Sequence, residues 1–284
     1  MIRQIAVIGS GTMGRGIAYL SAIAGYDTVI YDVENAALDA ARASIEATLH
    51  KGIEKGKVTE RLASEALARV SVASDLEPAV RAADLIIEAV PENFDLKKEL
   101  FAQADLFCDE EAILASNTSS LSISTLAANV ERADRFVGLH FFKPPHVMKL
   151  IEIVRGDGTS DRTVAEVHEV AERMGKQPIV VRDSPGFASS RLGIALGLEA
   201  MRMVEEGVAS ATDIDRAMEL GYNHPMGPLR LSDLVGLDVR LGIAEYLAST
   251  LGPRFEPPQL LRDMVAAGKL GKKTGEGFYK WPDE

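Results

Sequence analysis

Residues 2–32 read IRQIAVIGSGTMGRGIAYLSAIAGYDTVIYD, and their order of strand, glycine turn, helix and strand decides the fold. IAVI is a short β-branched run, IAYLSAIAGY has helical spacing, and DTVIYD is strand-like again. Between the first strand and the helix, Gly9-Ser10-Gly11-Thr12-Met13-Gly14 spells G-x-G-x-x-G. In that setting Gly9 permits the tight turn, Gly11 lets a pyrophosphate approach the backbone, and Gly14 allows close helix packing. The helix N-terminus at Thr12 and Met13 then offers free N–H groups and partial positive charge to phosphates. Asp32 ends the second strand, where an acidic side chain bonds ribose hydroxyls. A carboxylate there repels a 2′-phosphate, and Val33 and Glu34 supply no arginine, so NAD is expected over NADP. The plain alternative is a glycine-rich turn that holds nothing.

The same alternation continues outward. A long helix is expected over Asn35 to Lys57 from the spacing of Leu38, Ala41, Ile45 and Leu49. VTERLASEALARV resumes helix, VSVAS and ADLIIEAVPE read as strands, LKKELFAQADLF as a helix, and AILASNTSSLS as a buried strand followed by a polar turn. RFVGLHFF and KLIEIV are strand-like, a helix is expected from Asp161 to Met174, and QPIVVRD closes the pattern. Strands alternating with helices imply a Rossmann-type α/β domain with a mostly parallel sheet. At Ser184-Pro185-Gly186 the character changes, and LGIALGLEAMRMVEEG, ATDIDRAMELG and LSDLVGLDVRLGIAEYLASTLG all carry helical periodicity. The expected division is therefore 1–184 for dinucleotide binding and 185–284 for an all-α domain.

Composition narrows the partners. The 284 residues are 46% apolar and 26% charged, as in an ordinary globular chain, and no stretch reads as a membrane span. A formal charge of −11 argues against nucleic acid or an anionic lipid surface, so a phosphate-bearing ligand must find a local site. The single cysteine, Cys108, allows neither an internal disulfide framework nor a thiolate metal cluster. With a reducing compartment implied and no signal-peptide pattern in MIRQIAVIGSGTMG, a cytoplasmic location is expected.

Of the five histidines, His140 stands apart. It follows the apolar run RFVGL, and in an open parallel sheet the carboxyl ends of strands face the ligand crevice. Glu152 lies within KLIEIV, and a carboxylate in an apolar strand needs a partner. Dehydrogenation of an alcohol needs a base for the hydroxyl proton while hydride leaves carbon, and imidazole suits that task near neutrality. Glu152 would orient the ring, as a buried carboxylate does in a hydrolase triad. The same residues also fit a structural histidine beside an unrelated glutamate, and residue types do not choose between the two. His140 and His146 lack metal-ligand spacing, so no metal is expected. No G-x-S-x-G elbow occurs, and Asn117-Thr118-Ser119-Ser120 reads as a polar loop at the crevice or as a turn bonding its own backbone.

IAVIGSGTMGRGIA, DLIIEAVPE, ASNTSSLSI, GLHFFKPPHVMKLIEI, SPGF, MGPLRLSDLVGLD and GKKTGEGFY together resemble the short-chain L-3-hydroxyacyl-CoA dehydrogenase family across almost the whole chain. The resemblance implies oxidation of (S)-3-hydroxyacyl-CoA to 3-oxoacyl-CoA with NAD, or the reverse, by a homodimer formed through the helical domain. By the same likeness His140 is the catalytic histidine, Glu152 its paired acid, and Ser119 the serine that contacts substrate and cofactor. Glu92, Lys97 and Lys273 match residues that contact NAD, with Asn117 in the same crevice loop. Thr48 and Lys55 fall near positions used for coenzyme A, and solvated helix-face residues fit them as well.

Two departures accompany the likeness. Where the family usually has HFFNP this chain carries Lys143, and where it usually has an asparagine before arginine this chain has Ser190-Arg191. Both positions would line the active site. Ser190 has a shorter reach than asparagine and no amide, and Lys143 places a cation near the base, favouring a neutral ring. Two other readings stay open on the sequence: an NAD-dependent dehydrogenase of a free hydroxy or sugar acid, and a nucleotide-binding homologue impaired in catalysis.

Overall fold

A computed structural model describes residues 1–282. The chain divides into two compact units, Met1–Ser184 and Pro185–Glu284. The first is a sheet of eight strands: β1 (Gln4–Ile8), β2 (Asp27–Tyr31), β3 (Val70–Ala73), β4 (Leu85–Glu88), β5 (Ile113–Ser116), β6 (Phe136–Phe141), β7 (Leu150–Arg155) and β8 (Gln177–Arg182). Their spatial order is β3-β2-β1-β4-β5-β6-β7-β8. The helices between them are α1 (Thr12–Ile23), α2 (Asn35–Glu54), α3 (Glu60–Ala68), α4 (Leu76–Val80), α5 (Phe94–Phe107), α6 (Ile123–Ala127) and α7 (Asp161–Arg173). β1 and β4 are neighbours although three strands apart in order, so their carboxyl ends form the switch point at which such sheets bind ligands.

The four residues of β4 and of β5 are buried throughout, as strands covered on both faces should be. α2 buries Leu38, Ala41, Ile45 and Leu49, the residues whose spacing marks the helix in the sequence. One element breaks the parallel pattern. β7 runs antiparallel to β6, and β8 then pairs parallel with β7. The connection from Phe142 to Lys149 is too short for the crossover that a parallel neighbour requires, so the chain doubles back.

The second unit is helical, with α8 (Ser189–Glu205), α9 (Ala211–Gly221), α10 (Pro228–Val235), α11 (Leu237–Leu251) and α12 (Gln259–Ala266). Its only strand-like contacts among the described residues are the isolated bridges Gly271–Glu276 and Glu276–Lys280. Two buried aspartates organise it. Asp215 accepts from the first-turn amides of α10, Leu229 N at 2.8 Å and Arg230 N at 2.9 Å, and from the Tyr279 hydroxyl at 2.7 Å. Asp233, fully buried, accepts from Phe278 N, Tyr279 N and the Trp281 indole at 2.9, 2.9 and 3.0 Å. The GKKTGEGFY segment is glycine-rich for this reason: a Cβ at Gly277 would lie 2.2 Å from Asp233 Oδ1.

Asp233→Ala would leave those three donors without an acceptor, at roughly 1–3 kcal/mol for each buried group. A loss of at least about 3 kcal/mol is expected in chemical unfolding, followed by the fluorescence of the single tryptophan. An unchanged midpoint would show that the clamp is dispensable.

Candidate active site

At the β1–α1 turn the backbone does what the glycines were expected to permit. Gly9 has φ +98°, and a Cβ on it would meet the Ala89 carbonyl at 2.9 Å, just past β4. A Cβ at Gly14 would stand 1.7 Å from Gly9 O, so α1 can start only where no side chain intervenes. Gly11 differs, since nothing among the described residues lies within 4 Å of where its Cβ would be. It opens onto a cleft of ≈960 Å³ lined by Gly9, Thr12, Met13, Arg15, Asp32 and Lys143, among others. A dinucleotide fits this cradle. The helix start presents unpaired N–H groups, Arg15 and Lys143 supply cations, and Asp32 stands at the end of β2.

Asp32 is already organised. Its Oδ2 accepts from Ser10 N at 2.8 Å and Ser10 Oγ at 2.6 Å, and its Oδ1 from Glu34 N at 3.2 Å. Partial burial works to raise the carboxyl, but these hydrogen bonds outweigh it and hold the group below the ordinary carboxylate range. Lys143 and Arg15 both line the cleft. Arg15 was not singled out in the sequence, although it directly follows the third glycine of the fingerprint.

Beneath the cleft lies an acid–base network that residue types only half revealed. Glu88, fully buried at the end of β4, accepts from Lys97 Nζ at 2.5 Å and Val90 N at 2.7 Å on Oε1, and from Ser116 Oγ at 2.7 Å on Oε2. Burial pushes its carboxyl up, with Lys97 and the hydrogen bonds offsetting part of the rise. Lys97 Nζ also reaches Glu92 Oε2 and the Val90 carbonyl, both at 3.3 Å. With those three acceptors and 1% exposure, Lys97 is not among the residues that line the cleft. Glu92 is one of its partners. Glu92 Oε1 gathers Thr118 Oγ1 at 2.6 Å, Ser119 N at 2.9 Å, Ser119 Oγ at 3.3 Å and Ser120 Oγ at 3.2 Å. Burial works to raise Glu92, yet Lys97 and the Thr118 and Ser119 hydrogen bonds hold it below its usual range. Asn117 turns its Oδ1 to Phe141 N at 3.0 Å, tying this loop to the end of β6.

On that strand His140 is 6% exposed, and the antiparallel register sets it directly opposite Glu152. Directly opposed residues share a face of the sheet. His140 Nδ1 lies 2.7 Å from Glu152 Oε2, and Glu152 is fully buried. The Phe142 ring packs against the imidazole with centroids 4.4 Å apart. A carboxylate on Nδ1 fixes the tautomer with its proton there, leaving Nε2 as the basic nitrogen.

The remaining expected residues are scattered. Thr48, half-buried on α2, donates to Ser44 O at 2.7 Å, and Lys55 is exposed at the α2 C-cap. Ser190 is half-buried in the first turn of α8 in the second unit. Lys273, expected at NAD by resemblance, grips both oxygens of Asp238 at 2.6 Å. No cluster of three or more potential metal ligands occurs among the described residues.

A doubly wound sheet with a glycine turn, an acid at the end of β2 and a buried histidine–carboxylate pair defines a dinucleotide-dependent dehydrogenase. Residues 4–184 match the 3-hydroxyacyl-CoA dehydrogenase NAD binding domain, and residues 186–281 match the C-terminal domain of the same family. The chain belongs to the 3-hydroxyacyl-CoA dehydrogenase family and is an NAD-dependent oxidoreductase acting on acyl-CoA substrates. It is 46% identical to a probable 3-hydroxybutyryl-CoA dehydrogenase of Bacillus subtilis, over 100% of this chain and 99% of that one. It is 43% identical to the 3-hydroxybutyryl-CoA dehydrogenase of Clostridioides difficile, over 98% and 99% of the two chains. The crystal structure of (S)-3-hydroxybutyryl-CoA dehydrogenase from Ralstonia eutropha superposes with a TM-score of 0.97 at 44% identity, covering 100% of both chains.

Lys97→Met strips Glu88 of its counter-charge and is expected to cost about 3–5 kcal/mol near neutral pH. The sign with pH follows from the raised Glu88 carboxyl. Without Lys97 its folded value rises further above the unfolded one, so stability is retained below the unfolded value and falls as pH climbs through the folded one. Adding Glu88→Gln should abolish that slope; thermal melts across pH that stay flat in the single variant would contradict it.

Proposed function

We propose that His140 is the general acid–base group in reversible oxidation of a short-chain (S)-3-hydroxyacyl-CoA, of the 3-hydroxybutyryl size, to the 3-oxoacyl-CoA. The observation that carries the reading is the 2.7 Å contact between His140 Nδ1 and buried Glu152. Glu152 holds the ring in place with its proton on Nδ1, so Nε2 takes the hydroxyl proton in oxidation and returns it in reduction. When bound, NAD supplies the hydride acceptor. Gly9, Gly11, Thr12, Met13 and Gly14 would cradle its phosphates, Lys143 would add a cation to that wall, and Asp32 would take its ribose hydroxyls. Ser119 contacts the substrate with its hydroxyl aimed by Glu92, Asn117 holds the loop that carries it, and Ser190 adds a short hydrogen-bonding group to the substrate oxygen. Glu92 in turn depends on Lys97.

The first unit would thus bind NAD, and the second would form a homodimer. Leu192, Leu220 and Tyr222, exposed by 70, 84 and 75%, support the homodimer as apolar surface on the helical unit. At the far end of α2 and just beyond it, Lys51, Lys55 and Lys57 are all exposed, a local cationic tip on an acidic chain that suits coenzyme A phosphates, with Thr48 on the same helix. Lys273 keeps Asp238 in place in this reading. No helix among the described residues is long and apolar enough to cross a membrane, and the lone Cys108 and the bacterial relatives favour the cytoplasm.

His140→Ala should lower turnover of acetoacetyl-CoA by about two to four decades while NADH affinity stays near normal. Steady-state absorbance at the nicotinamide band and fluorescence titration of NADH separate the two effects. A near-normal rate would reject His140 as the base.

A further inference from the structure

The connection between β6 and β7 carries two prolines and little regular structure to satisfy its backbone. Pro144 and Pro145 have no N–H to donate. The Pro144 carbonyl takes Val147 N at 3.0 Å and Met148 N at 3.1 Å, closing a single turn, which leaves the carbonyls of Pro145 and Met148 to a side chain. Lys176, 8% exposed just before β8, answers both: its Nζ donates to Pro145 O at 2.5 Å and to Met148 O at 2.8 Å. Gln177 N then bonds Lys149 O at 2.8 Å, so the start of β8 holds the connection at three carbonyls.

A buried ammonium is a costly way to hold a loop. Lys97 and Arg135, also buried, each meet a carboxylate, at Glu88 and Glu166, whereas both hydrogen-bond partners of Lys176 are main-chain carbonyls. Burial accordingly pulls its ammonium below the ordinary lysine range. The ammonium carries three donors on a flexible stem, and no apolar residue in its place could satisfy either carbonyl.

What this clamp fixes lies on the dinucleotide side of the sheet unit. Pro145 packs on α1 where that helix has no side chain: a Cβ on Gly16 would lie 2.9 Å from Pro145 Cγ. Arg15, next to Gly16, lines the cleft at the β1–α1 turn, and so does Lys143, two residues before Pro145. The Lys143 side chain is exposed, so its place over the cleft is set by the backbone that carries it.

We propose that Lys176 is a positioning residue for cofactor binding: by clamping the 142–149 connection onto α1 it holds the Lys143 ammonium over the cleft, where that ammonium meets the phosphates of NAD. This rests on the reading that the cleft takes NAD with Lys143 on its wall, and it adds the residue that sets Lys143 there. Lys176 is not among the residues that line the cleft. Its effect passes through two carbonyls, the Pro145 contact with α1 and Lys143.

The test is a double-mutant cycle read by fluorescence titration of NADH at low and high salt, with kcat for acetoacetyl-CoA reduction measured at saturating NADH. Lys143→Met is expected to weaken NADH binding by roughly three- to tenfold and to flatten its salt dependence. Lys176→Met should reproduce both changes in a folded enzyme, with kcat at saturating NADH nearly unchanged. In the Lys143→Met background it should add little further loss, because two residues acting in series are not additive. Lys176→Gln, which keeps an amide donor for the carbonyls, should fall between wild type and Lys176→Met, and it carries the cycle if the methionine variant does not fold. Additive losses, an unaltered salt dependence in the Lys176 variants, or a loss confined to kcat would overturn the proposal. Unchanged NADH affinity in Lys143→Met would overturn the reading of Lys143 and this proposal with it, whereas weakened affinity there and wild-type affinity in both Lys176 variants overturns the Lys176 assignment alone.

Discussion

The reversal of chain direction between β6 and β7 shapes the site, because its antiparallel register sets His140 and Glu152 directly opposite each other on adjacent strands. Both side chains are then held by the sheet. The 2.7 Å contact does not depend on a mobile loop to hold it together. A fully buried carboxylate would be expensive alone, and an imidazole beside it can take up a proton without creating an isolated charge.

The Glu88–Lys97–Glu92 chain applies the same logic one layer away. Glu88 anchors Lys97 in the core, Lys97 steadies Glu92, and Glu92 collects the hydroxyls and amide of the Thr118–Ser120 turn. Through Asn117 that turn is bonded to the end of β6, one residue past His140. Two sets of buried charges thus converge on the same few residues of loop. Neither set needs to be strong as a source of stability, since a buried ion pair gains little over an apolar core; their effect is to fix directions.

Much of this could be read from the sequence, and what could not has a common cause. The glycine fingerprint, Asp32 and the alternation of strands and helices in the first half are local in origin and legible from spacing. The direction of β7 was not, because alternation along a strand is identical in parallel and antiparallel pairs; the shortness of the 142–149 connection was the available signal. Glu88 stands at the polar end of an apolar run, and only family likeness marks Lys97 in the sequence. Yet Lys97 shares the buried stripe of α5 with Phe101 and Ala104. A charge in the phase of the core is the sign it gave.

Charge also explains how an acidic chain accommodates a dinucleotide and still discriminates. With a formal −11 overall, the attraction for phosphate must be local, and the α1 N-terminus, Arg15 and Lys143 concentrate it on one wall of the cleft. Asp32 sits in the same cleft with its carboxyl held ionised by Ser10 and Glu34. Each carboxylate oxygen has two lone pairs, so the protein's donors leave acceptor capacity for ribose hydroxyls. A 2′-phosphate brings no donor and two negative charges to that point. A carboxylate fixed before any ligand arrives repels such a phosphate while keeping acceptors for hydroxyls.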